Sequence, residues 1–158
     1  MEWLGTLFLY LHIGGVIIAF GPSIAFPFLA AKAAQEPQHG NFVLRASKWI
    51  SEKVVEPGAV FVFLTGVGLI VTRGYNPLED RWVGLAIVLF IITFAFANLI
   101  QIPTLRKMIA LTDGPPPADA PPGPPPGFLD LSQKAARGGM FMTVMIFVLL
   151  FLMVFKPF

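Results

Sequence analysis

The sequence has no cysteine among its 158 residues, which excludes disulfides and thiolate metal sites. Charged residues make up only 13% of the chain, whereas a soluble domain usually carries about 25%. The formal net charge is +2, which disfavours a basic footprint for nucleic acid. Hydrophobic residues reach 56%, so these shortages together indicate a surface that faces lipid.

Several other signals are also missing. The N-terminus lacks the Lys/Arg cluster and the small-residue cleavage site of a secretory signal. No glycine-rich phosphate loop, zinc-ligand spacing or nucleophile–base set is present. What stands in their place is a nearly uncharged run from Trp3 to Ala31, longer than the roughly 20 residues that cross a hydrocarbon core. We interpret this run as a retained membrane span.

Four apolar segments predict an all-α membrane protein, built over residues 1–158 as a single four-helix bundle. The predicted spans cover about 3–30, 54–72, 82–102 and 137–155. Pro22 and Pro27 lie inside the first span and predict a kink near Gly21. Residues 112–127 are dominated by proline and are predicted to form an extended cytoplasmic linker.

The polar connections carry further expectations. Residues 32–53 mix apolar and basic side chains in their second half, and two interpretations stay open. One is an amphipathic helix on the anionic lipid surface, and the other is a solvated helix that extends the second span. Residues 104–111 are expected to extend the third span, and residues 128–136 to form a short separate helix before the fourth.

The basic residues are distributed unevenly over the two sides of the predicted membrane. The first and third connections hold eight of them: Lys32, Arg45, Lys48, Lys53, Arg106, Lys107, Lys134 and Arg137. The opposite side holds three: Arg73, Arg81 and Lys156. The positive-inside rule therefore predicts that both termini lie outside and both long connections lie in the cytoplasm.

His12 is the strongest candidate for a functional residue inside the membrane. If Trp3 marks the interface, His12 lies about 14 Å deeper, near the bilayer centre. Neutral imidazole is a good ligand for haem iron or copper, and Met145 at a similar predicted depth is a candidate second axial ligand. The alternative is a structural hydrogen bond to threonine or to a backbone carbonyl. No other ionisable group shares this depth, which disfavours a pump or an ion-coupled transporter.

Small residues at helical spacing predict close helix packing. The candidates are Gly15, Ala19 and Ser23 in the first span, Gly58, Thr65 and Gly66 in the second, and Thr93 in the third. Four methionines cluster in the last span, and thioethers are soft ligands for Cu(I). Met140 and Met142 point to different helix faces, however, so apolar packing is the favoured interpretation of the cluster.

Three short motifs carry a family resemblance. They are Leu11-His12-Ile13-Gly14-Gly15, then Pro57-Gly58 with Leu64-Thr65-Gly66, and Pro103-Thr104-Leu105-Arg106. They resemble a bacterial, DUF2269-like family of predicted integral membrane proteins of unknown function. That family looks related to the copper-resistance-D-type membrane domain and to the J-type protoporphyrinogen oxidase. The resemblance implies a four-helix membrane bundle, with His12 in the position of a haem ligand.

Two functions are carried forward from the sequence. The favoured one is a non-catalytic accessory or scaffold subunit of a larger complex in the bacterial inner membrane, with other membrane subunits or a second copy as partner. The alternative is a membrane redox protein that binds haem b or copper through His12. The chain departs from the oxidase-like relatives in having no lysine or second histidine in a span, and whether it is an enzyme stays open.

Overall fold

The computed structural model describes residues 2–114 and 123–157, and within them the only regular secondary structure is helical. The α-helices are α1 (Glu2–Phe20), α2 (Phe26–Gln35), α3 (Gly40–Ile50), α4 (Glu56–Arg73), α5 (Arg81–Phe96), α6 (Ile102–Leu111) and α7 (Phe128–Phe155). Much of the predicted proline-rich linker, residues 115–122, lies outside the described residues.

These helices join into four rods that are long and apolar enough to cross a membrane. The rods are Glu2–Gln35, Pro37–Arg73, Arg81–Leu111 and Phe128–Phe155, of 34, 37, 31 and 28 residues. At 1.5 Å per residue they measure roughly 42 to 56 Å, against about 30 Å for a hydrocarbon core. The prediction of an all-α protein with four membrane-spanning helices is therefore confirmed, and every rod is longer than a span requires.

Two of the rods contain a π-helical turn followed by a proline. The π turns are Ser51–Val55 and Ala97–Gln101, and Pro57 and Pro103 lie at the start of the α-helices that follow. Proline has no N–H to donate to the carbonyl four residues earlier. The residue before each proline donates five residues back instead, from Glu56 to Ser51 and from Ile102 to Ala97.

The connections differ in part from the expectations. The break expected near Gly21 coincides with a 3-10 segment, Gly21–Ala25. Of the two interpretations of residues 32–53, helical extension of the second span fits the structure, because α3 runs through the π turn into α4. The helical extension of the third span to Leu111 is confirmed.

The separate helix predicted over residues 128–136 is wrong, because α7 runs unbroken from Phe128 to Phe155. Gly138 is buried against Gln101 and Phe96, so packing on the neighbouring rod holds it in the helix. Intrinsic helix propensity is a weak predictor where such packing exists.

The rods pack mainly in two pairs. The N-terminal pair consists of the rods over 2–35 and 37–73, and its closest approach is between α1 and α4. The C-terminal pair consists of the rods over 81–111 and 128–155, where α7 packs on both α5 and α6. Between the pairs, α3 contacts α6, and the rings of Phe63 and Phe90 stack with centroids 5.6 Å apart.

Candidate functional site

His12 lies half-buried in α1, where its ring meets α4. Its Nδ1 atom is 3.0 Å from the carbonyl oxygen of Val62 and 3.2 Å from Oγ1 of Thr65. A carbonyl oxygen can only accept, so Nδ1 carries the proton and donates it to Val62. This assigns the tautomer from the hydrogen-bond network and leaves Nε2 as the unprotonated ring nitrogen. The structural hydrogen bond to a backbone carbonyl, one of the two interpretations of His12 from the sequence, is present in this geometry.

The helix α4 is shaped to receive this ring. Thr65 is buried, and its hydroxyl bonds back to the carbonyls of Phe61 and Val62, at 2.9 and 3.0 Å. Gly66 lies beneath the imidazole, and a Cβ built there would come within 3.2 Å of the ring carbon Cε1 of His12. Because Gly66 has no side chain, the imidazole of His12 can occupy this space.

The same arrangement repeats along the α1–α4 interface. A Cβ on Gly15 would come within 2.9 Å of the Phe61 ring, and one on Gly58 within 2.6 Å of the Ala19 Cβ. Ala19 is fully buried, with 0% of its surface exposed. Five of the candidate packing residues meet in this one interface: Gly15, Ala19, Gly58, Thr65 and Gly66.

The two remaining packing candidates lie elsewhere. Ser23 is half-buried in the 3-10 segment that follows α1. Thr93 is buried on α5, where its hydroxyl donates to the carbonyl of Leu89 at 2.7 Å. The Thr93 hydroxyl is therefore hydrogen-bonded within its own helix. Thr93 belongs to the C-terminal pair rather than to the contact that holds His12.

Met145, the candidate second ligand, is half-buried on α7. Helix α7 packs on α5 and α6 while α1 packs on α4, and across residues 2–114 and 123–157 α1 and α7 share no extensive contact. The same residues contain no cluster of three His, Asp or Glu side chains. The residues around His12 thus supply one nitrogen ligand, and ligation of haem or copper by His12 or Met145 stays a prediction.

Sequence reasoning missed a clamp at the end of α7. The Lys156 ammonium donates to the Tyr75 hydroxyl at 2.8 Å and lies 5.2 Å from the ring centroids of both Tyr75 and Trp82. Lys156 ends its helix with a left-handed backbone, φ +43°, which is uncommon outside glycine. The available signal was that one cation and two aromatic residues all fall at the same end of the predicted spans.

A charged cluster links the two pairs at their opposite end. The Glu52 carboxylate accepts hydrogen bonds from Lys48 and from Arg106 on α6, each at 2.9 Å. Glu52 lies outside the predicted apolar spans. The hydrogen bond from Arg106 and, to a smaller extent, the one from Lys48 hold the pKa of its carboxyl below the usual value. Nearby, Arg45 pairs with Asp113 at 2.6 Å. Ionised carboxylates therefore contribute to the junction of α3 and α6, beside the neutral hydrogen bond from the Asn41 amide to the Thr112 carbonyl at 3.1 Å.

Four long apolar rods, joined through small residues and a few internally bonded polar groups, define a polytopic α-helical membrane protein. The chain belongs to the family described as Predicted integral membrane protein (DUF2269), whose model matches residues 6–157. No curated protein and no solved structure matches the chain. The resemblance to that family, and the location as a multi-pass integral membrane protein, are thereby confirmed.

Proposed function

We propose that this protein is a non-catalytic accessory or scaffold subunit of a larger complex in the bacterial inner membrane. The observation that supports this most is the use of His12. It is the one ionisable side chain deep in a predicted span, and its Nδ1 proton goes to a backbone carbonyl of the neighbouring helix. An intramembrane ionisable residue usually marks a functional site, and here its bond holds two helices together.

The partner contacts a face of α7 that the chain itself leaves open. Gly139 and Thr143 lie four residues apart along this helix, a spacing that admits another helix closely. A Cβ built on Gly139 would meet nothing within 4 Å, in contrast to the adjacent Gly138. Thr143 on the same face is exposed. This face therefore suits a helix from another subunit or from a second copy.

The proposed topology follows the charges. Both termini lie outside, and the ends of the rods that carry Lys48 and Arg106 lie in the cytoplasm. Residues 1–158 form one membrane domain, and residues 112–127 form a cytoplasmic proline-rich arm. Reporter tags at the two ends check this orientation. A reporter that works only outside the cytoplasm should be active at either terminus. Fluorescence of cytoplasmic reporters at both ends contradicts the proposed orientation.

Co-purification tests the accessory role. Gly139→Leu places a bulky side chain on the open face of α7, so we expect it to release the proteins that co-purify from crosslinked membranes. Val144→Leu is the matched control, because Val144 is also exposed on α7 but lies off the small-residue face. A native chain that purifies alone and monodisperse, with unchanged size in both variants, contradicts the proposal.

The second candidate function is a haem- or copper-binding redox protein. The observation that favours it is the orientation of the His12 ring. A histidine that binds a metal through one ring nitrogen commonly donates the N–H of the other to a carbonyl. Here Nδ1 does so, which leaves the Nε2 lone pair for a ligand. The test is an absorption spectrum with metal analysis of protein from haem-replete cells. A Soret band or stoichiometric copper that His12→Ala removes supports this function, and a colourless, metal-free native protein contradicts it.

A further inference from the structure

A groove of about 510 Å³ lies between α4 and α5, where the two pairs of rods face one another. Seven residues line it: Glu52, Lys53, Glu56, Pro57, Val60, Phe94 and Asn98. The groove lies where the apolar part of the second rod begins, next to the charged cluster of Glu52. Its lining therefore suits a molecule with one polar end and one apolar end.

Both π turns of the structure border this groove. Ser51–Val55 contributes Lys53, and Ala97–Gln101 contributes Asn98. A π turn adds one residue to the helical hydrogen-bonded ring, and such turns are found frequently at functional sites. Two of them on facing helices, each followed by a proline, shape the same space. This observation is independent of the groove's volume and charge, and it also points to a ligand.

The groove is lined by two carboxylates, those of Glu52 and Glu56, and by the ammonium of Lys53. Glu52 is engaged by Lys48 and Arg106, but within residues 2–114 and 123–157 neither Lys53 nor Glu56 forms an ion pair. The Asn98 amide nitrogen donates to its own helix, at the Phe94 carbonyl 3.0 Å away. The amide oxygen of Asn98 therefore remains an acceptor, and among the described residues Lys53 and Glu56 are the charged groups of the lining that no ion pair engages.

We propose that this groove binds a zwitterionic phospholipid whose headgroup ends in a primary ammonium, the phosphatidylethanolamine class. The lipid phosphate pairs with Lys53, and its ammonium donates to Glu56 and to the Asn98 oxygen. One acyl chain lies along Val60 and Phe94. The proposal does not depend on the accessory role, since a lipid occupies this groove in a scaffold and in a redox protein alike.

Two other common headgroups fit less well. A phosphatidylglycerol headgroup is anionic and has no cation to offer Glu56, so the carboxylate repels it. A phosphatidylcholine headgroup has the right charges, but its trimethylated ammonium has no N–H to donate to a carboxylate or an amide oxygen. The primary ammonium is what separates the proposed ligand from both.

Native mass spectrometry of the full chain, delipidated in detergent and titrated with short-chain lipids, tests this site. We expect the native protein to bind phosphatidylethanolamine about tenfold more tightly than phosphatidylcholine. This is the factor expected when one charge-assisted hydrogen bond is missing, as it is with phosphatidylcholine. Glu56→Gln should remove this preference. Lys53→Gln should weaken both lipids alike, because the phosphate is common to them.

Controls keep the test specific. Lys107→Gln and Asp130→Asn remove the same charges from the same side of the molecule but outside the groove, and they should leave the preference unchanged. Circular dichroism checks that each variant keeps its helix content. Equal binding of the three lipids by the native chain overturns the proposal, and so does a preference that survives Glu56→Gln.

Discussion

The two pairs of rods are held together in opposite ways. In the N-terminal pair, α1 and α4 meet where side chains are small, as at Gly15 and Gly58. In the C-terminal pair, α5 and α7 meet through large side chains, with Trp82 and Leu152 buried at the centre of the cluster. Tyr75 packs edge-on to Trp82, with ring centroids 5.2 Å apart.

This difference shows two solutions to one physical problem. Between helices in lipid, apolar burial supplies little driving force, because the lipid tails are as apolar as the side chains. Dispersion contacts must then decide the association, and they require atoms to approach closely. One pair obtains this by bringing backbones together, and the other by interlocking bulky groups. The first interface should fail when atoms are added, and the second when atoms are removed.

Removing the largest side chain of the C-terminal pair should have the greatest effect. Trp82 is 7% exposed, so Trp82→Ala leaves a cavity that we expect to cost about 3 kcal/mol in the free energy of unfolding. Reversible unfolding in mixed detergent micelles measures this. Trp49→Ala is the matched control, because Trp49 is 60% exposed, and it should cost less than about 0.5 kcal/mol. Equal losses at the two tryptophans would contradict the account of this pair.

Adding atoms to the N-terminal pair should be the next most damaging change. A Cβ on Gly58 meets the Ala19 Cβ and lies 3.1 Å from its Cα, which belongs to the backbone and cannot rotate away. We expect Gly58→Val to cost about 2 kcal/mol through overpacking. Gly14→Val is the control on the same pair, because a Cβ at Gly14 meets nothing within 4 Å. A control as damaging as Gly58→Val would show that valine propensity, rather than the close approach, sets the cost.

The sequence predicted one of these interfaces better than the other. The four-residue spacing of Gly15 and Ala19 indicates a close-packing face, and Gly58 and Gly66 indicate its counterpart. What spacing cannot give is the register, because several glycines on each span can face one another. For the Lys156 clamp, the sequence places the cation and the aromatic residues at the same end of the spans but does not show that they touch. Tyr75 lies 81 residues away from Lys156, and nothing local to either residue shows the contact.

The π turns and the course of α7 show a second limit of the sequence. Pro57 and Pro103 mark where each rod loses a hydrogen bond, but proline signals a kink, a helix start and a π turn equally. The division predicted between residues 136 and 137 is absent, and Gly138 packs closely there on Gln101 and Phe96 of the neighbouring rod.

The polar contact of the N-terminal pair should contribute less than its packing. His12→Leu removes the ring that bonds to Val62 and contacts Thr65, and we expect a cost of about 1 kcal/mol, typical for a hydrogen bond between membrane helices. A double-mutant cycle with Thr65→Val isolates the contact between the two side chains. A coupling energy near zero would assign the cost to the bond with the Val62 carbonyl rather than to Thr65, and no loss of stability in His12→Leu would show that the imidazole only fills space beside Gly66.

The clamp on the C-terminal pair should have a smaller effect still. We expect Lys156→Met to cost about 0.5 kcal/mol, the value of an exposed cation–π contact, while Lys156→Arg keeps most of the stability because the cation remains. Unfolding monitored by tryptophan fluorescence measures both variants. Lys107→Met serves as the control, since Lys107 is exposed and lies on α6. A loss in the arginine variant as large as in the methionine variant would exclude the cation–π contact as the cause.

The smallest effect should come from the charges that join the two pairs. The folded pKa of Glu52 lies below its ordinary value of 4.5, so its contribution to stability is present above that value. It is lost as the pH falls through the folded pKa, because protonation weakens the bonds from Arg106 and Lys48. We expect crosslinks between α3 and α6 to decline below pH 4.5, while those between α1 and α4 persist. In Glu52→Gln, the decline of the α3–α6 crosslinks with falling pH should become shallower. The decline that remains should come from the exposed ion pair of Arg45 and Asp113. A decline that is equally steep in both interfaces would mean that acid loosens the whole protein rather than the junction of its two pairs.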